Sequence, residues 1–600
     1  MQNDNSRNTI IFVVIAMIFL LGYSEFVMKP QAERRQAAQQ QATEQTTGTS
    51  ADGVALAASP TAAVFVTDRS AALGTGARVP IQTPTLKGSL SLEGGRIDDL
   101  FLIDYRETLA ADSPPVELFR PQGMEHSYSA LFAWNGPNVP GGVPGPRTPW
   151  RLTDGSVLTP TTPVTLTWDN GQGLRFTRVI AIDPQYLFTV TDTVANFGTQ
   201  AITIAPFGRV ERQGVPDHVG RQMILHEGAI GTFGAEDGKF STQQLKYKDW
   251  AKKERVQHTS TGGWLGITDK YWLAAMIPDQ SEKIEAEFRV RSGGGADIHE
   301  VNMLGAARTI APGRQITETQ RLFAGVKRNE ILTGYQDELN LPRFVYAIDW
   351  GMFWFLTRPI FMVVEFFFGV LGNFGLAILA LTFVVKLIMF PLANKSYESL
   401  SKMRKLQPLM EEIKKKNPDD PAAQQKETMA LYQREKINPL AGCLPILVQI
   451  PVFYALYKVL YVTIEMRHAP FFGWLRDLSA PDPSTLWTLY GLIPWDPTSL
   501  PLVGTILGTN FALGILPIFY GLTMWLQMAM NPPAPDPVQR KIFAFMPLVF
   551  TFIMATFPAG LLVYWAWNNI LSILQQWFIM HRFKAENPID TFIARFKKTA

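Results

Sequence analysis

The sequence predicts a polytopic α-helical membrane protein of six transmembrane helices, carrying a large all-β sandwich domain outside the membrane. Three observations predict it. Apolar runs long enough to cross roughly 30 Å of hydrocarbon recur from Thr9–Val27 to Gly560–Met580. Between about Ala62 and Leu341 the chain instead alternates in short β-rich segments separated by Gly, Pro and Asp. Lys and Arg gather in one set of the loops between apolar runs, which orients the spans.

Composition narrows the class. A chain of 600 residues is long enough for several domains. A net charge of +3 leaves no global basic field to hold nucleic acid directly. The single cysteine, Cys443, rules out an intramolecular disulfide and argues against a thiolate zinc site.

Residues 1–28 form the first element. Thr9–Val27 follows a short charged start at Arg7, as in a signal peptide, but Tyr23, Glu25 and Phe26 stand where a small-x-small cleavage site would be. The reading is an uncleaved transmembrane anchor. Residues 29–61, rich in Gln, Ala, Thr and Ser, bury too little apolar surface to offset their ordering entropy and read as a flexible linker.

Residues 62–341 read as the sandwich. Pro163–Trp168, the turn Asp169-Asn170-Gly171, and Leu174–Ile182 form one hairpin, and Asp183-Pro184 precedes Leu187–Val194. Ala201–Val210 and Ile284–Val290 repeat the alternation, and Val326–Leu339 reads as a helix. Gly234–Lys239 has one residue too few between its glycines for a phosphate loop, and Phe240 stands where Ser or Thr belongs. His218, His226, His258 and His299 share no metal-ligand spacing and read as ordinary surface or loop residues.

Residues 342–372 are dense in aromatics but carry Asp349, Arg358 and Glu365, which fits an amphipathic helix in the outer interface. The helical core then occupies 373–582, with spans at about 374–392, 440–461, 511–530, 542–557 and 560–580. The first span is expected to end at Pro391. A charged helical hairpin, 395–436, follows it. Met403, Leu406, Met410 and Ile413 make one apolar seam, Pro408 kinks it, and Met429 and Tyr432 face it from the second arm. Asp420 and Pro421 suit the start of that arm. Pro439, Pro445 and Pro451 interrupt the next span, where only neighbours or water can satisfy the freed carbonyls. Glu465–Asn510, broken by Pro494, Asp496, Pro497 and Pro501, reads as an outside loop with interfacial pieces.

The hairpin, the connector Asn531–Lys541 and the tail 583–600 hold most of the basic residues of this half, whereas 465–510 holds only Arg467 and Arg476. Both termini and the hairpin are therefore expected in the cytoplasm and the sandwich outside.

Polar groups inside the spans are costly and point to function. Lys386 lies within Phe374–Leu392, with Thr382 one turn earlier on the same face. It either snorkels to the nearer headgroups or faces a wet interior. Gln449, Gln527, Tyr564 and Asn568 could join Thr382 and Lys386 on one hydrated groove, with Trp565 beside them. A lone cation without intramembrane Asp or Glu suits an anionic or polar segment in transit better than a proton relay.

Phe374–Leu392, the run Asn438-Pro439-Leu440-Ala441-Gly442-Cys443-Leu444-Pro445 with Gln449-Ile450-Pro451-Val452-Phe453, and Phe557-Pro558-Ala559-Gly560-Leu561 resemble the YidC/Oxa/Alb membrane protein insertases. The N-terminal anchor and the long outside sandwich resemble the Gram-negative branch. The motifs cover about Trp350–Arg582; over the sandwich the likeness is architectural.

The resemblance implies a five-helix insertase core in the bacterial inner membrane, with a groove open to the cytoplasm and the lipid. It implies a periplasmic sandwich and a mobile cytoplasmic hairpin. Nascent membrane proteins are the implied clients. The Sec translocon with its accessory subunits, the ribosome or targeting machinery, and the lipid bilayer are the implied partners. No enzyme activity, cofactor or metal is implied. Within that reading Lys386 attracts acidic residues of an arriving segment, while Thr382, Gln449 and Asn568 keep the groove wet and Gln527 lines it. Tyr564 and Trp565 contact the segment's apolar face, and the hairpin recruits or gates. The family's groove cation is usually Arg; Lys386 keeps the charge and loses the bidentate fork. The alternative from the residues alone is a secondary transporter for an anionic solute with Lys386 as counter-charge, which predicts inverted repeats that the chain lacks. A weaker alternative is an envelope enzyme, for which no paired carboxylates stand ready.

Overall fold

A computed structural model of the chain describes residues 66–599 apart from 75, 217–218, 220–224, 236–237, 294–295, 419, 436–443, 487–512 and 532–536. The expected anchor and linker, Cys443, and most of 465–510 lie outside the described residues.

The β domain is two antiparallel sheets laid face to face. Among the described residues, one has ten strands and the other nine. The expected hairpin is present as Val164–Asp169 paired with Leu174–Ile182, which pairs in turn with Leu187–Asn196. Leu174–Ile182 buries every second residue, so one face supplies core and the other meets water. The two sheets are also joined by a buried charge. Arg178 holds Asp192 with Nε and Nη2, both at 2.7 Å, and donates to the Phe132 carbonyl of the facing sheet at 2.9 Å. Trp134 Nε1 donates to the same carboxylate at 2.8 Å, so the buried pair is hydrogen-bonded throughout.

Gly234–Lys239 is the connection between the paired strands Gly228–Gly234 and Phe240–Lys246, a hairpin turn. Against the expectation of surface or loop positions, His299 and His258 lie on strands, while His226 lies in a loop but is buried; His218 lies outside the described residues. His299 is buried on strand Ala296–Leu304, edge-on to Tyr247 and Trp250, and burial pushes its pKa down to about 4. His226 is buried with Nε2 at 2.9 Å from the Ala229 carbonyl, and burial likewise lowers it to about 4. His258 lies on strand Arg255–Thr261, stacked on Phe233.

After helix Asn329–Glu338 the chain enters the helical core. Its described helices are α1 (Trp354–Leu371), α2 (Phe374–Lys405), α3 (Gln407–Lys416), α4 (Pro421–Arg434), α5 (Leu444–Val462), α6 (Ile515–Met530), α7 (Pro537–Met554), α8 (Ala559–Arg582) and α9 (Pro588–Thr599). Helix α8 packs between α2 and α6; α1 packs on α2 and α5, and α7 packs on α6. Gly521 on α6 permits that last approach, because a Cβ there would stand 2.0 Å from Thr551 Oγ1.

Two boundaries differ from expectation. Helix α2 does not stop at Pro391 but runs on to Lys405, so the first span and the base of the hairpin are one helix. Proline removes one hydrogen bond there, and the helix-forming residues beyond it continue the turn. The break comes instead at Leu406, where Pro408 occupies the first turn of α3 and needs no intrahelical donor. In the hairpin Asp420 caps α4 by accepting from Ala423 N at 2.9 Å. The apolar seam between the arms is Leu406 and Leu431 with Met403, Met410, Ile413 and Tyr432 around them. Met429 is exposed, and Leu431 takes the place it was expected to fill. A helix turns about 100° per residue, so the face carrying Leu431 and Tyr432 turns Met429 outward.

Among the described residues α1 and α2 are long and apolar enough to cross a membrane, and α6 is a shorter apolar helix.

Candidate functional site

The helical core exposes many large apolar side chains and buries polar ones among its helices. Phe383, Leu387 and Ile388 on α2, Leu522 and Trp525 on α6, Phe545 and Leu548 on α7, and Phe578 on α8 are each more than half exposed. Thr382, Thr523, Thr551, Asn568, Asn569, Ser572 and Gln576 are buried between the helices. Large apolar side chains turned outward, with polar groups held inside, suit a hydrocarbon solvent.

Those interior groups form a ladder along α8. Asn568 accepts from Gln449 Nε2 of α5 at 2.8 Å. One position on, Asn569 donates to Thr523 Oγ1 of α6 at 3.1 Å. Ser572 accepts from Lys386 Nζ of α2 at 2.7 Å and donates to its own helix at the Asn568 carbonyl, also 2.7 Å. Gln575 meets Asn394 of α2 at 3.2 Å. Gln576 Nε2 donates to the Met530 carbonyl at 3.0 Å, at the end of α6. Arg404, at the end of α2, donates to that same carbonyl at 2.9 Å. Two donors thus satisfy a carbonyl that the last turn of α6 leaves without a helical partner.

The sequence-derived candidates sort as follows. Lys386, Gln449 and Asn568 come together around α8. Lys386 turns toward Ser572, and no carboxylate pairs with it among the described residues. Thr382 is buried, its hydroxyl already donating to the Ile378 carbonyl at 2.6 Å. Gln527 is half-buried one turn after Thr523 on α6. Trp565 stacks on Phe453 at 4.9 Å and leans on Tyr520 and Phe557. Tyr564 is only 2% exposed, packed inside the helical core. Ser572 and Asn394 were not singled out in the sequence. A four-residue spacing from Tyr564 through Asn568 and Ser572 to Gln576 was the signal available.

A second polar cluster joins the β domain to α5. Lys458 Nζ, 1% exposed, lies 2.7 Å from Asp349 Oδ2, which also accepts from His226 N at 3.0 Å. Gly351 N donates to Asp349 Oδ1 at 3.1 Å. Burial pushes Asp349 up, but the ammonium and these donors more than offset it and hold the carboxyl below its usual range. Nearby, Lys327 Nζ donates to Thr268 Oγ1 at 2.9 Å and to the Asp269 carbonyl at 2.6 Å. Burial lowers Lys327 and Lys270 each to about 8 and raises Glu227 to about 7.

Comparison with known proteins covers both halves. A family model described as the YidC periplasmic domain matches residues 78–363, and one described as the 60Kd inner membrane protein matches residues 366–586. A Caulobacter vibrioides protein named membrane protein insertase YidC is 53% identical over 619 residues, covering 100% of this chain and 100% of that one. Relatives of the same name from Bradyrhizobium diazoefficiens (97% of each chain) and Maricaulis maris (100% of this chain, 99% of that one) are each 46% identical. Full-length similarity at this level, spanning the sheets and the polar ladder alike, places the chain in the YidC family of membrane protein insertases.

Proposed function

We propose that this chain, as a membrane protein insertase, receives the polar or acidic part of an arriving segment on the α8 ladder at Lys386. One observation carries the reading. An ammonium has three donors, and the only protein acceptor for Lys386 among the described residues is a neutral hydroxyl. It stands twelve residues into α2, about 18 Å along the helix, where hydrocarbon cannot supply the rest. Water or a client carboxylate completes its shell. The neutral side-chain rungs, Gln449–Asn568, Asn569–Thr523 and Gln575–Asn394, are each worth about 0.5–1.5 kcal/mol net, so they exchange readily for bonds to a passing backbone. Gln449 and Asn568 keep this path hydrated and Gln527 lines it; Thr382 and Tyr564 serve as packing, and Trp565 forms an aromatic wall. No nucleotide is needed, because burying the segment's apolar surface in lipid releases free energy.

The same reading has six spans, with both termini and the α3–α4 hairpin in the cytoplasm and the β domain in the periplasm. The Lys and Arg distribution supports it. Helix α1 lies in the outer interface, supported by Arg358, Glu365 and the exposed Trp354 and Phe355. The hairpin recruits or gates through its seam, Met403, Leu406, Met410, Ile413 and Tyr432, while the exposed Met429 is free to meet the Sec translocon, the ribosome or targeting machinery.

The test is insertion of a single-span client with an acidic translocated tail into liposomes holding only this protein. Native chain and Lys386→Arg are expected to insert it, and Lys386→Ala to fail. Equal insertion by all three would remove the cation from the mechanism.

A further inference from the structure

The last helix, α9, is held in an unusual place. Its N-terminal turn is bracketed to α8 through Asp590, whose carboxylate accepts from Trp577 Nε1 at 2.9 Å and Asn587 Nδ2 at 2.7 Å and lies 3.0 Å from His581 Nδ1. Asn587 Oδ1 in return accepts from Asp590 N at 2.8 Å. Ile589 packs with Trp577 against Met530, Met580 and Ala585. The bracket folds the chain back, so α9 starts beside Trp577 instead of running on from the end of α8.

Beyond that contact the helix shows apolar residues to the outside. Phe592 is 62% exposed and Ile593 41%. The sequence adds Phe596 four residues after Phe592, with Arg595, Lys597 and Lys598 between and after them. Arg582 and Lys584, both exposed, flank the bracket, and from Arg582 to Ala600 only Glu586 and Asp590 oppose these five cations. Tryptophan near a span end marks headgroup level, and the neighbouring Phe578, 61% exposed, faces the hydrocarbon side.

We propose that α9 docks on the anionic headgroup surface of the bilayer that holds α8, with Phe592 and Ile593 in the acyl boundary and the exposed Arg582 and Lys584 among lipid phosphates. An exposed apolar pair beside clustered Lys and Arg fits a surface that is apolar below and anionic above. Nucleic acid satisfies the charges but leaves Phe592 and Ile593 in water. The proposal rests on α8 spanning the bilayer.

The experiment uses the full chain with Cys443→Ser and an environment-sensitive fluorophore on Ala594→Cys, reconstituted into vesicles of phosphatidylcholine with or without phosphatidylglycerol. A second labelled chain, Leu574→Cys on α8, reports the span itself. The expected result is quenching at position 594 by brominated lipid in anionic vesicles, with about a tenfold weaker effect in neutral ones, as clustered basic residues require. Phe592→Asp with Ile593→Asp abolishes that quenching while position 574 stays quenched by lipid. Equal access of position 594 to aqueous iodide in both vesicles, with 574 still lipid-quenched, overturns the proposal alone. Shielding of 594 only on adding ribosomes overturns it in favour of that partner. Loss of lipid quenching at 574 overturns it together with the spanning reading.

Discussion

The Lys458–Asp349 contact is the sharpest test of how the β domain is keyed to the helical core. Lys458→Met removes the ammonium and keeps most of the apolar stem, so packing beside Gly351 and Tyr454 is little changed. Asp349 is left buried with two backbone donors, at 3.0 and 3.1 Å. Breaking a buried pair from one side costs about 3–5 kcal/mol, and those remaining donors place this case at the lower end, about 3 kcal/mol. Asp349→Asn added to Lys458→Met removes both charges and is expected to return most of that loss. The assay is hydrogen exchange at the His226 amide, which donates to Asp349 and so reports opening of this joint. At 1.4 kcal/mol per tenfold, Lys458→Met lowers protection there by about a hundredfold, and the double variant recovers it to within about tenfold of native. Unchanged protection in Lys458→Met would refute the argument, as would a double variant whose losses simply add.

Three further outcomes follow from other sites. Arg404→Ala alone is expected to cost about 1 kcal/mol, since Gln576 still serves the Met530 carbonyl; adding Gln576→Leu orphans that carbonyl and costs more than the sum, read by thermal unfolding in micelles. Gly521→Ala drives a Cβ against the stiff Thr551 side chain and destabilises the α6–α7 contact by about 1–3 kcal/mol; Thr551→Ala rescues it, as unfolding midpoints would report. Glu227 has its pKa raised from 4.5 to about 7 by burial and by Asp269, facing Lys327 and Lys270. The folded chain therefore holds that proton more tightly than the unfolded one, so this group's contribution to stability falls as pH rises from about 4.5 to about 7 and is flat above. Glu227→Gln removes that slope, which unfolding measured across this pH range would detect.

What could be read from residues alone follows from the range of the forces involved. Strand pairs such as Val164–Asp169 with Leu174–Ile182 announce themselves because alternation and the Asp169-Asn170-Gly171 turn are local. The core helices do so because an apolar run is a one-dimensional signal. Lys386, Gln449 and Asn568 stood out because polar groups are rare in such runs. The partners did not. Ser572 and Arg404 become informative only once helices far apart in sequence lie side by side. The burial of His226 and His299 was not legible because the groups around them, Asp349, Tyr247 and Trp250, are distant in sequence. Pro391 misled because its cost to a helix interior, about 3 kcal/mol, is outweighed when the residues on both sides favour the helix.

That uninterrupted helix has a mechanical consequence. Thirty-two residues make α2 about 48 Å long, some 18 Å more than the hydrocarbon core of a bilayer. It is a shaft that carries Lys386 in its first half and the hairpin on its far end. Its one proline, Pro391, leaves the Leu387 carbonyl without its helical donor, one position past Lys386. A pull on the hairpin therefore bends the shaft at that soft joint before it tilts the turn carrying Lys386. Beyond the joint, Asn394 and Arg404 tie the shaft to α8 and to the end of α6, so any bend at Pro391 loads those two contacts before it reaches Lys386.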